Sequence, residues 1–569
     1  MTAVLGLCSY THDSAAALII DGRLVGFVEE ERLSQVKHTK AYPERAVAWL
    51  LKESGLRPKD IDVVAYNFSA GRYLRAVPCA SALLLSAETR GRALPRALGF
   101  TTVALRTMAR ERTLAGKFPR ARVRALLHHR AHQTYAFAAS GFEEAAVLVV
   151  DSLGETQTTT IAYGRQPVRG RPALRTLHAI DDPASLGYVY GAVTMHLGWR
   201  RGDEEGTVMA LAALGDPTRF RPLFTQAVRT TASSFVVDPE LFPPRTLRRG
   251  AARVTPRFVA ATCPPRAPDE PVEQVHRDLA AALQERTETV LLHLARVARQ
   301  RTGSNRLCVG GGVAANCVGI GRIVEEGLFE EVFVPPSPGD SGTAIGAAAA
   351  VHVATAPQRL TDIEGACYLG PSWPSPAVDW ARWPGLRAER LTTDRAEFLA
   401  DQLAQGQIVG LFQGRVEAGP RALGNRSILA SPLSEGVVER LNATVKFREL
   451  FRPFAPVVPE QRLGEYFTLG QAAPFMSMAS RVTTKAREQI PAIVHANSTA
   501  RVQTVRPDDN PLLHAVLDAF ARRTGVPVLI NTSLNVKGKP ICGTPEMALD
   551  CLAGSGLDAL LLEDWWVTK

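Results

Sequence analysis

The sequence predicts a mixed α/β protein with two domains, in which the first domain repeats a strand–polar loop–strand unit. The first copy covers residues 3–20 and the second covers residues 145–163. Both copies have short apolar runs bounded by turn residues, a pattern typical of buried strands. A proline-rich stretch at residues 355–390 breaks the composition and indicates a connection between domains. We therefore predict domains at residues 1–356 and 357–569.

Strands and helices alternate along the rest of the sequence, which favours an α/β architecture. The predicted helices cover residues 43–54, 272–299, 343–354 and 394–405, and further strands cover residues 24–27, 63–67, 307–309, 331–334, 408–412 and 526–530. Residues 230–270 are rich in proline and arginine, and we expect an insertion or loop there.

Amino-acid composition and net charge indicate which class of protein this is. The chain has 569 residues, of which 46% are hydrophobic and 21% charged, as in ordinary globular proteins. The net charge is +10, and arginine is concentrated between Arg90 and Arg130, where Glu111 is the sole acid. Such a surplus favours either a solvated basic face or contact with nucleic acid or anionic substrates. We expect the solvated face and no nucleic-acid partner.

The sequence also indicates the cellular compartment in which the protein is expected. The first residues lack a basic segment followed by an apolar run, and no stretch approaches the ~20 apolar residues of a membrane span. The eight cysteines form no C-x-x-C pair, so we expect buried thiols. These features predict a cytoplasmic protein without a membrane partner.

The most distinctive local pattern is His-His-Arg-Ala-His at residues 128–132, followed by an apolar strand and Asp151. If this stretch is helical, His128 and His132 lie on one face, one turn apart. Asp340 is a second carboxylate that follows a predicted strand. Two imidazoles with carboxylates suit a divalent transition metal such as iron or zinc. A helix with two surface histidines remains the alternative.

Two further loops could bind anions. Gly310, Gly311 and Gly312 precede a helix, which favours phosphate or ribose contact but also suits a tight strand–helix turn. In the second domain, glycine- or proline-bounded loops carry arginines such as Arg421 and Arg452, which could make bidentate oxyanion contacts or be ordinary surface arginines.

Taken together, these stretches resemble the NodU/CmcH family of ATP-dependent O-carbamoyltransferases, which includes the tobramycin carbamoyltransferase. The matching residues run in family order over essentially the whole chain: 12–13, 29–32, 37–38, 128–132, 151, 309–316, 340–342, 419–424, 452–456 and 531–533.

The resemblance implies a fold and a reaction. The first domain is expected to be a duplicated actin-like (ASKHA) domain similar to the universal tRNA threonylcarbamoyl transferase. The second is expected to be an α/β domain resembling threonylcarbamoyl-adenylate synthase. In the family, the second domain converts ATP and carbamoyl phosphate, with Mg2+ expected, to carbamoyl-adenylate. The first domain then passes the carbamoyl group to a hydroxyl of a small molecule, as in antibiotic tailoring.

The resemblance also implies site residues. It places Fe2+, or another divalent transition metal, on His128, His132, Asp151 and Asp340. It places adenylate near Gly311, Gly312 and Asn316. In the second domain it places phosphates on Arg421, Lys446, Arg452 and Arg501, with Asn531 and Ser533 alongside. Transfer to an alcohol also needs a base, and His12 in the first polar loop is our candidate.

One departure concerns a loop of the first domain. The family usually has Lys before Met-Gly-Leu-Ala, whereas this chain has Thr207 and reads Met-Ala-Leu-Ala at residues 209–212. The missing cation and glycine leave open how this loop contacts nucleotide or acceptor.

Three other functions remain to be weighed. A tRNA-modifying threonylcarbamoyl-type transferase fits both domains and a pI near 9.3. A sugar kinase leaves the histidine pair and the second domain unexplained, and a non-catalytic metal-binding regulator does not need the arginine loops. The acceptor could be an aminoglycoside, ansamycin, macrolide, aminocoumarin, cephem or oligosaccharide, although the basic surface disfavours a polycation. We expect a monomer or homodimer.

Overall fold

The computed structural model describes residues 2–166, 173–248, 250–355, 360–374 and 376–569. The chain folds into two compact units. Unit 1 comprises Met1–Phe27 and Lys40–Ala366, and unit 2 comprises Val28–Thr39 and Cys367–Lys569. Pro357, where the second domain is predicted to begin, lies outside the described residues.

Residues 28–39 belong to unit 2, although the sequence analysis assigned them to the first domain. Buried Arg32 explains this difference, because its guanidinium donates to the carbonyl oxygen of Gly419 at 2.6 Å. The backbone N–H of Gly419 donates in turn to Glu29 at 2.7 Å. A short segment from the start of the chain is therefore fixed by the loop at Gly419.

The strands of the described residues are β1 (Ala3–Cys8), β2 (Ala15–Ile20), β3 (Arg23–Glu29), β4 (Val63–Tyr66), β5 (Arg122–Ala125), β6 (Glu144–Gly154), β7 (Gln157–Arg165), β8 (Ala173–Asp181), β9 (Val228–Thr230), β10 (Phe235–Val237), β11 (Arg306–Gly310), β12 (Glu331–Phe333), β13 (Arg387–Arg390), β14 (Val409–Phe412), β15 (Arg426–Ala430), β16 (Ala455–Pro459), β17 (Ala479–Arg481), β18 (Thr499–Arg501), β19 (Gln503–Val505), β20 (Leu529–Ser533), β21 (Ala559–Leu562) and β22 (Trp565–Thr568).

The α-helices of the described residues are α1 (Glu31–Ser34), α2 (Glu44–Glu53), α3 (Ala70–Cys79), α4 (Ala93–Lys117), α5 (His128–Ser140), α6 (Leu186–His196), α7 (Glu205–Ala212), α8 (Arg221–Ala227), α9 (Pro256–Ala261), α10 (Gln274–Thr302), α11 (Cys317–Glu325), α12 (Thr343–Thr355), α13 (Arg395–Ala404), α14 (Val437–Arg440), α15 (Leu463–Tyr466), α16 (Thr484–Gln489), α17 (Pro511–Thr524) and α18 (Pro545–Ala553). None of the helices within the described ranges combines the length and apolarity needed to cross a bilayer.

Unit 1 contains two five-stranded sheets with the same strand order. One sheet has the order β3-β2-β1-β4-β5 and the other has β8-β7-β6-β11-β12. In the first, β1 is antiparallel to β2 and parallel to β4, and in the second, β6 is antiparallel to β7 and parallel to β11. The outer pairs β4–β5 and β11–β12 are parallel as well.

Close backbone contacts position helix α12 in unit 1. A Cβ on Gly6 of β1 would lie 1.9 Å from the carbonyl oxygen of Ala344, and a Cβ on Gly346 would lie 1.9 Å from that of Ala131. Glycine at these positions lets α12 approach both β1 and α5. The segment that carries Asp340, which directly precedes α12, is therefore brought next to α5.

Two predicted loop–strand borders are wrong by a few residues. Strand β6 continues through Gly154, so Asp151 lies inside the strand, and the predicted polar loop at residues 151–157 is mostly strand. The register of β6 and β7 shifts between Val150 and Gly154. The two strands nevertheless remain paired beyond Val150, where the apolar pattern ends. Likewise, Asn531 and Ser533 lie within β20.

Unit 2 is built on an eight-stranded sheet with the order β13-β22-β21-β14-β15-β20-β16-β19. Helices α13 and α17 pack on this sheet through buried aliphatic and aromatic side chains, including Leu399, Leu403 and Phe520. Of the predicted polar residues, Asn531 lies in the middle of strand β20 of this sheet, and Ser533 lies at its end.

Candidate functional site

Four predicted metal ligands meet in unit 1. His128 and His132 lie one turn apart on α5, and their Nε2 atoms are 3.1 Å from each other. The Nε2 of His128 is 3.4 Å from a carboxylate oxygen of Asp151 and 3.4 Å from one of Asp340. All four side chains are buried, and one donor atom from each lies within 4.8 Å of the others. The two histidines are therefore not surface residues.

Surrounding contacts fix the position of His128. Its ring stacks on Phe68 at 4.6 Å between ring centroids and an interplanar angle of 7°. Its backbone N–H donates to the carboxylate of Glu155 at 3.3 Å, at the start of α5. A Cβ on Gly154 would lie 2.9 Å from that of His128, so this glycine allows β6 to approach the helix.

The charges of the cluster balance one another. Burial acts to lower the pKa of His128, but Asp340 and Asp151 outweigh it and raise that pKa well above the ordinary value. Burial acts to raise the pKa of Asp151, yet its contact with His128 holds that pKa well below the usual range. Burial, and then His128, lower the pKa of His132 to about 4. His132 and Asp151 are therefore in the neutral and ionised states that a divalent cation requires of its ligands, whereas His128 must release a proton when the cation binds.

His12 lies beside this cluster, in the loop between β1 and β2. Its Nδ1 donates to Asp13 at 2.9 Å, and its Nε2 is 3.9 Å from Asp340. Burial acts to lower the pKa of His12, but Asp340 and Asp13 raise it to about 9. The hydroxyl of Thr11 donates to Asp340 at 2.9 Å, a contact that the sequence analysis missed because a threonine in a polar loop carries no signal of its own.

The glycine loop contacts the metal-ligand cluster. Gly311 has a φ of +90°, and a Cβ there would lie 2.3 Å from the carbonyl oxygen of Val150. The N–H of Gly312 donates to Asp151 at 3.2 Å. Asn316 caps α11 by accepting from the N–H of Gly319 at 2.9 Å. Glycine is thus needed here for close approach to β6, and adenylate contact by this loop stays a prediction.

Glu417 organises the predicted arginine loop of unit 2. One of its carboxylate oxygens accepts the backbone N–H groups of Leu423, Asn425 and Arg426 at 2.8–2.9 Å. Gly424 has a φ of +115°, which favours glycine at this turn. The buried carboxylate therefore folds residues 417–426 into a compact loop, on which Arg421 lies.

Lys446 ends a π-helical turn, Leu441–Lys446, a feature that is often associated with functional sites. Its Nζ donates to the Ser533 hydroxyl at 3.1 Å and to the side-chain oxygen of Asn535 at 2.7 Å. Burial, and then the neighbouring Arg448, lower the pKa of Lys446 to about 7. The structure therefore brings together two predicted residues, Lys446 and Ser533, and adds Asn535.

Arg448 is a cation that the sequence analysis did not include. Burial lowers its pKa well below the ordinary value, and Arg452, Arg501 and Arg421 act in the same direction through their charges. Its guanidinium donates to Asn442 at 2.8 Å. Three other arginines therefore lie close enough to Arg448 to act on it through their charges, and the four make this region strongly cationic. The repeated arginines of residues 448–452 were the available signal.

Asn531 ties the same loop to the sheet. Its amide nitrogen donates to Gln503 at 2.6 Å and to the carbonyl oxygen of Ala422 at 3.2 Å. Its side chain is fully buried, and its carbonyl oxygen has no hydrogen-bond partner within the described chain. A buried acceptor of this kind needs a donor that the described chain does not supply.

A candidate metal-ligand cluster lies in unit 1, and a cationic cluster lies in unit 2. Family models match most of the sequence of both units. Residues 3–349 match the carbamoyltransferase N-terminus and residues 400–569 match the carbamoyltransferase C-terminus. The chain therefore belongs to the carbamoyltransferase family.

Individual relatives extend this result. An uncharacterised protein of Synechocystis is 34% identical over 100% of this chain and 97% of its own length. The nodulation protein NolNO of Sinorhizobium fredii is 34% identical over 99% of this chain and 79% of its own length. A 3′-hydroxymethylcephem-O-carbamoyltransferase of Amycolatopsis lactamdurans is 34% identical over 64% of this chain and 65% of its own length.

Proposed function

We propose that this carbamoyltransferase makes carbamoyl-adenylate from ATP and carbamoyl phosphate in unit 2, and transfers the carbamoyl group to a hydroxyl of a small molecule in unit 1. The observation that carries the proposal is that two sets of side chains, each suited to a different chemical step, lie in different units. The metal-ligand cluster with His12 lies in unit 1, and the cationic cluster lies in unit 2.

The first step fits the groups of unit 2. Forming a mixed anhydride brings the anionic ATP and carbamoyl phosphate together, and clustered cations offset their repulsion. Arg421, Arg448, Arg452 and Arg501 supply this field, with Lys446 at its edge. Phosphates bound there would neutralise the mutual repulsion of these side chains. Mg2+ would be expected to accompany ATP.

The second step needs the groups of unit 1. Two imidazoles and two carboxylates form a donor set that fits Fe2+ or another divalent transition metal. When bound, such an ion would supply a Lewis acid for a carbonyl or phosphoryl oxygen. In its neutral form, His12 accepts the proton of the acceptor hydroxyl, and Asp13 and Asp340 stabilise the resulting imidazolium. Because the pKa of His12 is raised to about 9, the fraction in this neutral form grows as the pH rises toward that value.

We also propose that unit 1 is a duplicated actin-like (ASKHA) domain. The identical strand order of its two five-stranded sheets supports this assignment. Each sheet contributes a loop or strand beside the candidate metal centre, with Thr11 and His12 from the first and Asp151 from the second. The relation of unit 2 to threonylcarbamoyl-adenylate synthase rests on the loops at Arg421 and Arg452.

For the acceptor, we propose a hydroxylated natural product modified in the cytoplasm. The cephem O-carbamoyltransferase among the relatives, whose name describes transfer to a small molecule, supports this class of acceptor. A tRNA-modifying transferase is the alternative, and the basic composition is the observation that favours it. We expect a monomer or homodimer that needs no nucleic acid.

Mass spectrometry of the reaction products tests this function. Purified protein is incubated with ATP, carbamoyl phosphate, Mg2+ and a panel of hydroxylated natural products, and bulk tRNA serves as the competing acceptor. We expect pyrophosphate from ATP and inorganic phosphate from carbamoyl phosphate, with water consumed, when carbamoyl-adenylate forms. Transfer should then release AMP, and one class of acceptor should gain a carbamoyl group. Modification of tRNA but of no small molecule would favour the alternative, and no consumption of ATP would contradict the proposed first step.

A further inference from the structure

A second group of arginines lies in unit 1 around the ring of Tyr188. The guanidinium carbon of Arg245 is 4.7 Å from the ring centroid, and that of Arg253 is 5.2 Å from it. Both residues belong to the proline- and arginine-rich stretch for which the sequence predicted an insertion or loop. Arg201 follows α6 and lies close enough to lower the pKa of Arg253 through its charge.

Arg245 is the fixed member of this arginine group. It is buried, it pairs with Asp182 at 2.6 Å, and it donates to the carbonyl oxygen of Ser152 at 2.7 Å. Buried Arg96 pairs with the other oxygen of the same carboxylate. The charge of Asp182 is therefore already shared by two arginines, and it cannot also compensate Arg201 and Arg253.

The described residues offset the charges of Arg201 and Arg253 only in part, since the charge of Glu205 acts on Arg201 without forming an ion pair. Neither guanidinium has a hydrogen bond or ion pair with another described residue. Arg201 is exposed, whereas Arg253 is partly buried. Burial, and then the charge of Arg201, lower the pKa of Arg253 to about 10, so Arg253 remains charged at neutral pH. Burial lowers the pKa of Arg201 as well. Holding like charges together is unfavourable unless an anion joins them.

The arginine group is adjacent to the candidate metal centre. Ser152, which Arg245 contacts through its carbonyl oxygen, directly follows Asp151. A Cβ on Gly187 would lie 3.0 Å from the Cα of Ser152, so the start of α6 packs on this part of β6. The stem of Arg201 covers Gly191 on the same helix, 2.7 Å from a Cβ built there.

We propose that Arg201, Arg245 and Arg253 form a binding site for a phosphate or carboxylate group, carried by the carbamoyl acceptor or by the adenylate. Arginine presents two parallel donors to such a group, and the ring of Tyr188 holds two of the guanidiniums in place. A ligand anchored here presents its neutral part toward the neighbouring Asp151. This inference rests on the proposed function where it assigns the anion to the acceptor or to the adenylate, but the binding of an anion by the three arginines does not.

Calorimetric titration of the full-length protein tests the site directly. The Arg421→Ala/Arg452→Ala double variant serves as background, because it weakens the competing cationic cluster of unit 2. Glucose 6-phosphate, glucuronate and AMP are the anionic probes, and glucose is the uncharged control. We expect an anionic probe to bind and glucose not to bind. Sugar-anion binding assigns the site to the acceptor, and binding of AMP alone assigns it to the adenylate.

Substitutions in the double variant test whether Arg201 and Arg253 bind the anion. Arg201→Gln and Arg253→Gln should each weaken binding about tenfold or more, as expected for loss of a charge-assisted hydrogen bond. Arg253→Lys should retain part of the affinity. Arg200→Gln is the matched control, since Arg200 is exposed and pairs with Asp203. Thermal melting confirms that each variant is folded.

Two results would overturn the inference. One is the absence of binding for every anionic probe, and the other is equal affinity in the background protein and in the folded Arg201→Gln and Arg253→Gln variants. Neither result depends on carbamoyl transfer, so failure of this site is distinguishable from failure of the proposed function.

Discussion

At the scale of residues, the candidate metal centre makes a direct prediction. His132→Ala removes one of two imidazoles from a set whose donor atoms lie within 4.8 Å of one another. We expect elemental analysis to find about one divalent metal per chain in the unmodified protein, most of it lost in the variant. His178→Ala, on β8, is the control and should retain the metal. Equal metal content in His132→Ala and the control would contradict the assignment.

His12 makes a second prediction. Its Nε2 is 3.9 Å from Asp340, and its Nδ1 is held by Asp13, so its ring is oriented toward the cluster. His12→Ala should slow carbamoyl transfer by ~10²–10⁴ while leaving carbamoyl-adenylate formation intact. The rates of carbamoyl-adenylate formation and of carbamoyl transfer are measured separately with the same protein sample. An unimpaired transfer rate would show that His12 has a structural role.

Lys446 predicts a pH dependence. Its pKa is lowered to about 7, chiefly by burial, so the ammonium loses its charge as the pH rises through that value. Attraction of carbamoyl phosphate should therefore weaken above pH 7, and kcat/KM for adenylate formation should fall. In Lys446→Arg this decrease should disappear, because arginine stays charged. A decrease that persists in the variant would assign it to another group.

The sequence could predict those site residues whose type and spacing are typical of metal ligands. His128 and His132 are one turn apart, and Asp151 and Asp340 each follow an apolar run that predicts a strand, so the cluster could be expected from the sequence. Residues that act through tertiary contacts could not be found this way. Thr11 donates a hydrogen bond to Asp340, which lies 329 positions later in the sequence, and no local sequence pattern predicts that contact.

At the scale of elements, helix α12 depends on Gly346. A Cβ there would lie 1.9 Å from the carbonyl oxygen of Ala131, so Gly346→Ala must push α12 away from α5. We expect a lower free energy of unfolding by about 1–3 kcal/mol and reduced metal binding, because Asp340 directly precedes α12. Denaturant titration and elemental analysis measure both effects.

Gly116→Ala is the matched control for this substitution. Gly116 lies in α4, and a Cβ there meets no atom within 4 Å. Alanine should therefore stabilise the helix by roughly 0.5–1 kcal/mol. If Gly346→Ala were as stable as this control and kept its metal, the close contact of α12 would not support the site.

Element borders show where sequence patterns stop being informative. Apolar runs located β1, β2, β11 and β14 within a residue or two, because buried strands need apolar side chains on both faces. Strand β6 continues past its apolar run because backbone pairing with β7 does not depend on side-chain type. Helix α4 was missed since its arginines concealed the apolar face that includes buried Phe100 and Leu114.

At the scale of the whole molecule, we propose that each unit performs one chemical step. Unit 2 has the cations that two polyanions need but no part of the histidine–aspartate cluster, and unit 1 has that cluster with His12. Residues 28–39 could not be assigned to unit 2 from the sequence, because only the buried pairing of Arg32 with the loop at Gly419 reveals it.

The most direct test of this division is product analysis of two variants, with and without added carbamoyl-adenylate. Arg421→Ala should form no carbamoyl-adenylate, yet it should carbamoylate the acceptor when the intermediate is supplied. His132→Ala should consume ATP and carbamoyl phosphate without modifying the acceptor, with or without added intermediate. If folded Arg421→Ala is not rescued by carbamoyl-adenylate, the cationic cluster also acts in transfer, and the division into two steps is wrong.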